Sequence, residues 1–172
     1  MVAVLVLASV INVVDKAPST RHVRSTDEGI RVLVEKGLAR SATFRRLLDS
    51  LDASDVIVYI DRKLMREALD GYLLHHITIA GPMRYLHVKV DVKGSDIRAI
   101  ANIAHELQHA LEVARAQDVR DDRSLMLLFE RAHFQFGCAG DCFETKAAID
   151  VEDDVIAELK ATKPPSTLAS GR

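Results

Sequence analysis

The chain of 172 residues is long enough for one domain with its own core and leaves little room for two. Hydrophobic residues make up 48% of it and charged residues 28%, a balance that excludes general disorder. The 23 basic and 25 acidic residues give a net charge of −2, so the chain lacks the basic excess typical of nucleic-acid-binding proteins.

The first 14 residues, MVAVLVLASVINVV, form an apolar segment with two interpretations. They are too few for a membrane span, which needs about 20 residues. The length suits the apolar part of a signal peptide, which would place the protein in the periplasm or outside the cell, although a preceding basic region is missing. The Val and Ile content fits a buried strand of a cytoplasmic protein equally well. Compartment stays open, and membrane contact is expected only through this segment.

The chain is expected to divide into three parts. A polar linker from Lys16 to Thr26 follows the apolar segment, so residues 1–25 precede the domain. Residues 26–160 form the single predicted domain, and residues 161–172 form a polar, disordered tail.

Two short helices are predicted at the start of the domain. Thr26 or Asp27 can cap the first helix, and Gly37 is placed as its C-terminal stop. Ser41 can cap the second, in which apolar residues recur at helical spacing: Phe44, Leu47, Leu48 and Leu51.

Strands are predicted in the middle of the chain. Val56–Ile60 is rich in β-branched residues, and a stretch with helical character follows over residues 62–69. Leu73–Ala80 and Tyr85–Val92 flank a turn at residues 81–84 and are expected to form a hairpin. The second of these strands alternates apolar and polar residues, which predicts an edge or half-exposed strand.

The remaining elements are helical. Ser95 or Asp96 can cap the longest helix, residues 96–116, and further helices are predicted over Arg123–Phe136 and Phe143–Leu159. Helices, then strands, then helices indicate an α+β fold rather than a parallel α/β sheet.

The candidate metal-binding and catalytic residues lie in the longest predicted helix. His105 and His109 are four residues apart, so their rings lie one turn apart on the same face and can both reach one Zn²⁺. Glu106 is rotated by about 100° from His105, beside the metal position, where a carboxylate can take a proton from a zinc-bound water. The alternative is that both imidazoles only pack in the core and Glu106 forms an ordinary surface pair.

The run His105-Glu106-Leu107-Gln108-His109 matches the H-E-x-x-H signature, and in it the chain resembles the zincin metallopeptidases. The resemblance implies one Zn²⁺ per chain bound by the two His, with Glu106 as general base. It also implies a zincin-like fold, in which an antiparallel β-hairpin or sheet packs on the motif helix. An edge strand of that sheet would pair with an extended peptide or protein substrate.

A catalytic zinc needs a third protein ligand and an open position. The Gly and third His of the metzincin pattern do not follow His109, whereas the gluzincin-like pattern takes a Glu from a later helix. Glu144 is the expected ligand, with the alternative of a helix N-terminal acid favoured by the macrodipole. As a ligand, its carboxylate should lie within about 5 Å of both imidazoles, and Phe143 should be buried.

Five other residues have less definite roles. Glu112 either hydrogen-bonds a His ring or forms an ion pair along its own helix. His133 is a ligand, a group that polarises a substrate carbonyl, or a structural residue. Tyr85 could stabilise an oxyanion only if its strand borders the cleft. Cys138 and Cys142 are interpreted as structural.

The expected function is that of a zinc-dependent hydrolase, a metallopeptidase in which zinc and Glu106 activate a water. The alternative is a catalytically inactive zincin-like protein that keeps its metal and serves as a binding or assembly module. The small size of the chain favours that alternative, since few residues are left to build walls around a substrate.

Overall fold

The computed structural model describes residues 21–64, 71–132 and 144–162. These residues form an α+β fold of five helices and one four-stranded sheet: β1 (Val23–Arg24), α1 (Glu28–Arg40), α2 (Ala42–Asp52), β2 (Val56–Arg62), β3 (Gly71–Ala80), β4 (Met83–Val90), α3 (Asp96–Arg115), α4 (Asp122–Ala132) and α5 (Lys146–Ala161). No helix within these ranges is both long and apolar enough to cross a membrane. The predictions for residues 1–14, 65–69 and 163–172 lie outside the described residues.

The sheet is mixed, with strand order β1-β2-β4-β3. The predicted hairpin of β3 and β4 is confirmed as an antiparallel pair, but β2 runs parallel to both β4 and β1, so an antiparallel sheet is wrong beyond the hairpin. Of the two alternatives predicted for β4, the half-exposed strand is confirmed, because its side chains alternate between buried and partly exposed. The edge position is wrong, since β4 pairs with β2 on one side and β3 on the other, and β3 carries the polar, exposed residues that suit an edge.

Part of the predicted linker is a strand. Val23 and Arg24 form β1, which pairs in parallel with Val58 and Tyr59 of β2. Val23 is buried in the core. This apolar contact explains why the segment joins the sheet and does not form the predicted polar linker.

Gly37 does not end α1, contrary to the sequence prediction. The helix begins after the Asp27 cap and continues through Gly37 to Arg40. A Cβ atom at Gly37 would lie 2.9 Å from Cδ1 of Phe44 and 3.0 Å from Cγ2 of Ile100. The glycine therefore serves the close approach of α1 to α2 and α3, and it does not supply a helix stop.

Helix α3 lies at the centre of the molecule. The Ser95 side chain caps it, as predicted, and the helix packs against β2, β3 and β4 as well as α5. Its apolar residues, including Ile100, Ile103 and Leu107, are fully buried.

One buried cation fixes the C-terminal end of α3. Arg84, on β4, is fully buried and forms two hydrogen bonds with the Asp55 carboxylate, at 2.9 and 2.6 Å. The same guanidinium donates to the carbonyls of the last turn of α3 and the loop after it: Val113, Ala114, Ala116 and Val119. The guanidinium thereby adds hydrogen bonds to carbonyls at and just after the C-terminus of the helix, where backbone acceptors lack a full set of helical partners.

Helix α5 begins later than predicted. Thr145 has an extended backbone and its side chain accepts a hydrogen bond from the Ala148 amide, so the helix starts at Lys146 and not at Phe143. At the other end of α5, the Glu158 carboxylate accepts hydrogen bonds from the Ser41 hydroxyl and from the hydroxyl and amide of Thr43. Glu158 thus binds the N-terminus of α2, where an anion is favoured.

Candidate metal centre

The two motif histidines lie side by side on α3. His105 and His109 are 8% and 5% exposed, and their ring centroids are 5.0 Å apart. The spacing of one helical turn places both rings on the same face, as the sequence predicts. The rings are nearly perpendicular, at 75°, so each presents a nitrogen to the space between them.

Glu144 comes to these histidines from the segment before α5. Its Oε2 atom lies 3.2 Å from Nε2 of His105, and one ligand atom from each of His105, His109 and Glu144 falls within 4.8 Å of the other two. The predicted distance is therefore confirmed, while metal ligation itself stays a prediction. Glu144 precedes the Thr145 cap, so its carboxylate reaches the centre from an extended segment and not from a helix. Phe143 lies outside the described residues.

Two further carboxylates contact the Nδ1 atoms of the two rings. Nδ1 of His105 lies 3.0 Å from Oε2 of Glu152, and Nδ1 of His109 lies 3.1 Å from Oε2 of Glu112. In both rings this leaves Nε2 as the nitrogen available to a metal. Thr145 donates its hydroxyl proton to Oε1 of Glu112 at 2.7 Å and fixes that carboxylate in turn. Of the two roles predicted for Glu112, the hydrogen bond to a His ring is present.

Glu152 was missed by the sequence analysis although a signal for it exists. Ala148, Val155 and Leu159 form the buried stripe of α5, and Glu152 occupies the position between Ala148 and Val155 at helical spacing. A charged residue within an apolar stripe needs a buried partner, and this partner is His105.

Glu106 is also buried, with 6% of its surface exposed. Burial raises its pKa to about 7, against the opposing effect of positive charge on His109 and His105. A Cβ atom built on Gly71 of β3 would lie 3.0 Å from Oε1 of this carboxylate. Glu106 therefore lies between the histidine pair and the edge strand of the sheet.

The centre contains more carboxylates than imidazoles. Burial by itself would lower the pKa of His105, but hydrogen bonds with Glu144 and Glu152 outweigh it and raise the pKa to about 10. Burial by itself would raise the pKa of Glu144, but the hydrogen bond from His105 and the positive charges of His105 and His109 together hold it below its usual value. Four carboxylates, those of Glu106, Glu112, Glu144 and Glu152, surround two imidazoles. A divalent cation between the rings would compensate this negative charge.

The other residues considered from the sequence fall elsewhere. Tyr85 is on the sheet face opposite the buried side chains of β4, where it stacks with Tyr59 at 6.5 Å, so the condition under which it could stabilise an oxyanion is not met. His133, Cys138 and Cys142 lie outside the described residues.

His75 is connected to the histidine pair through the ring of Phe129. The ring of His75, on β3, stacks at 6.5 Å on Phe129, whose ring contacts that of His109 edge-on at 5.5 Å. Phe129, on α4, therefore forms an apolar wall beside His109.

No protein-family model, curated protein or solved structure matches this chain. Membership of the zincins thus stays a prediction from the motif His105–His109. Function has to be inferred from the chemistry of the site itself.

Proposed function

We propose that this protein is a zinc-dependent hydrolase that cleaves peptide bonds. The observation that carries the proposal is the convergence of ligand atoms from His105, His109 and Glu144 within 4.8 Å. These three residues would hold the metal.

The residues present fit zinc. Two imidazole nitrogens and one carboxylate oxygen form a ligand set of catalytic zinc sites, and a tetrahedral ion held by three side chains keeps one position open. Each imidazole is oriented by a carboxylate on its outer nitrogen, Glu152 for His105 and Glu112 for His109. Such partners fix the ring tautomer and raise the basicity of the inner nitrogen.

When bound, Zn²⁺ would polarise a scissile carbonyl and lower the pKa of a water toward 7. Glu106 would accept the proton of the attacking water and pass it to the leaving amine. Its pKa of about 7 suits a group that both accepts and donates a proton near neutral pH. Burial also keeps bulk water from this carboxylate and strengthens its interactions.

A peptide is favoured as the substrate by the position of β3. This strand forms one edge of the described sheet, and its first residue, Gly71, lies against the Glu106 side chain. Extended peptides bind sheet edges through backbone hydrogen bonds. A peptide on this edge would present its scissile bond next to the general base.

The test combines metal analysis with hydrolysis of an unfolded protein. Purified protein reconstituted with zinc should hold about one Zn²⁺ per chain, and His105→Ala or His109→Ala should remove most of it. Glu106→Gln keeps shape but cannot accept the proton, so it should retain zinc and lose about 10²–10⁴-fold in hydrolysis. Glu35→Gln, on the exposed side of α1, is the matched control and should change neither property.

Two outcomes would contradict the proposal. Hydrolysis that survives in Glu106→Gln would assign water activation to another group. Zinc binding without hydrolysis of any unfolded protein would favour the alternative of a metal-containing assembly module.

A further inference from the structure

The first residue of β3 lies directly against the Glu106 side chain. A Cβ atom built on Gly71 would be 3.0 Å from both Cγ and Oε1 of Glu106 and 3.2 Å from the Lys89 carbonyl oxygen. Real Cβ atoms rarely approach other heavy atoms so closely, because van der Waals contact between carbon atoms is near 3.5–4.0 Å. Position 71 has no room for a side chain while Glu106 keeps its present position.

Backbone conformation does not explain this glycine. Among the described glycines only Gly81 and Gly94 have positive φ, so the backbone of Gly71 is one that other residues can adopt. The glycine is therefore explained by the lack of space for a side chain, and two of the three nearest atoms to a Cβ atom there belong to the Glu106 side chain.

The position of β3 explains why Glu106 can come so close. β3 is an edge strand of the described sheet, and α3 packs against it. Gly71 is the first residue of this strand, and its lack of a side chain lets the Glu106 side chain approach the strand backbone.

We propose that Gly71 is a positioning residue for the general base: the bare backbone at Gly71 forms a seat, a space without a side chain, that fixes the Glu106 carboxylate beside the metal ligands. The inference rests on the proposed function for the role of Glu106 as base. The seat itself is a matter of packing, and it can be tested without hydrolysis.

Gly71→Ala is the direct test on activity. The added methyl displaces the Glu106 carboxylate but touches no metal ligand, so zinc content should stay near one per chain. Misplacement of a catalytic group by about 1 Å can cost about 10²-fold in rate, and we expect kcat to fall about 10–100-fold with KM changed less than about twofold. Gly81→Asn, at the turn that ends β3, is the control. A Cβ there meets no atom within 4 Å, and Asn tolerates the positive φ of Gly81, so kcat should be unchanged.

A mutant cycle with Glu106→Ala separates the seat from a general defect of the strand. In metal-free protein, Gly71→Ala should lower the unfolding temperature by about 3–8 °C, because it overpacks a buried contact. Glu106→Ala removes both atoms that the methyl would meet. In that background the loss from Gly71→Ala should be at least halved, and the remainder reflects the Lys89 carbonyl. Residual hydrolysis in the same background should be insensitive to Gly71→Ala.

The outcomes of the cycle are decisive in either direction. A single Gly71→Ala variant that fails to fold, together with a double variant that folds, would support the seat. Equal losses in both backgrounds, or failure of both variants to fold, would assign Gly71 to strand pairing and overturn the inference. If the wild type hydrolyses nothing, the proposed function fails, yet the unfolding cycle still decides whether Gly71 seats Glu106.

Discussion

The charge of Glu152 is predicted to support the metal through His105. Glu152→Gln keeps the length of the side chain and its ability to accept one hydrogen bond, but it removes the carboxylate that lies 3.0 Å from Nδ1 of His105. A neutral amide orients the ring less firmly and makes its inner nitrogen less basic. The metal should therefore bind more weakly while the three ligands stay in place.

The contacts set the expected size of the effect. Loss of such an outer partner typically costs about 10–100-fold in metal affinity, which corresponds to about 1.4–2.7 kcal/mol. The other charged partner of Glu152 is Arg98 at 3.8 Å, and its side chain is 58% exposed, so solvent screens that pair and it contributes little. Nearly all of the change in zinc affinity should therefore arise from the altered contact with His105.

Competition with a chelator of known zinc affinity measures the dissociation constant directly. Asp153→Asn is the matched control, because it removes one negative charge from the adjacent, exposed position of α5. We expect the control to stay within about twofold of wild type. If Glu152→Gln and Asp153→Asn weaken zinc equally, the hydrogen bond to His105 does not act on the metal and the reasoning fails.

The remaining predictions concern stability. Arg84→Met should lower the free energy of unfolding by about 3–5 kcal/mol in urea titrations at pH 7, because it removes the guanidinium that pairs with the Asp55 carboxylate and donates to four carbonyls. The hydrogen bond from Arg84 outweighs burial and lowers the pKa of Asp55 below its usual 3.8. The part of the stabilisation that depends on the charge of Asp55 is complete above pH 3.8 and is lost as the pH falls through the folded pKa, whereas the hydrogen bonds to the carbonyls remain, so the difference between the two proteins should narrow in acid; a constant difference would contradict the pairing. Gly37→Ala should destabilise by about 1–3 kcal/mol through contact with Phe44, whereas a neutral result would mean that α1 can move away. Zinc at 100 times its dissociation constant should stabilise the protein by about 2.7 kcal/mol and raise its unfolding temperature by about 5–10 °C, with no rise in His105→Ala.

Local sequence signals predicted the elements well because their causes are local. The caps at Asp27, Ser41 and Ser95 are short-range hydrogen bonds, and each helix starts where its capping side chain predicts. Two helix boundaries were wrong. The start of α5 was placed at Phe143 because the cap at Thr145 was missed, and the end of α1 was placed at Gly37 because a glycine that ends a helix and one that permits helix contact look the same in a sequence.

The order of the strands and the contacts between distant residues could not be predicted from the sequence, for a physical reason. Whether β3 or β4 lies inside the sheet depends on which strand buries its face against β2 and α3, and periodicity within a strand does not encode its partner. The same limit applies to the site. His105, Glu106 and His109 follow from spacing on one helix, whereas the partnership of His105 with Glu152 spans 47 residues and depends on how α5 packs.

Contacts at both ends of α5 link the metal centre to the far side of the helical layer. At its start, Thr145 binds Glu112, and near its end Glu158 binds the first turn of α2. The whole helix can therefore open to solvent only when the contacts at both ends are broken. Amide hydrogen exchange should therefore slow along the whole of α5, and in the first turn of α2, when zinc is added. The protection would extend well beyond the residues that touch the ion, since one cooperative unit of unfolding includes both ends.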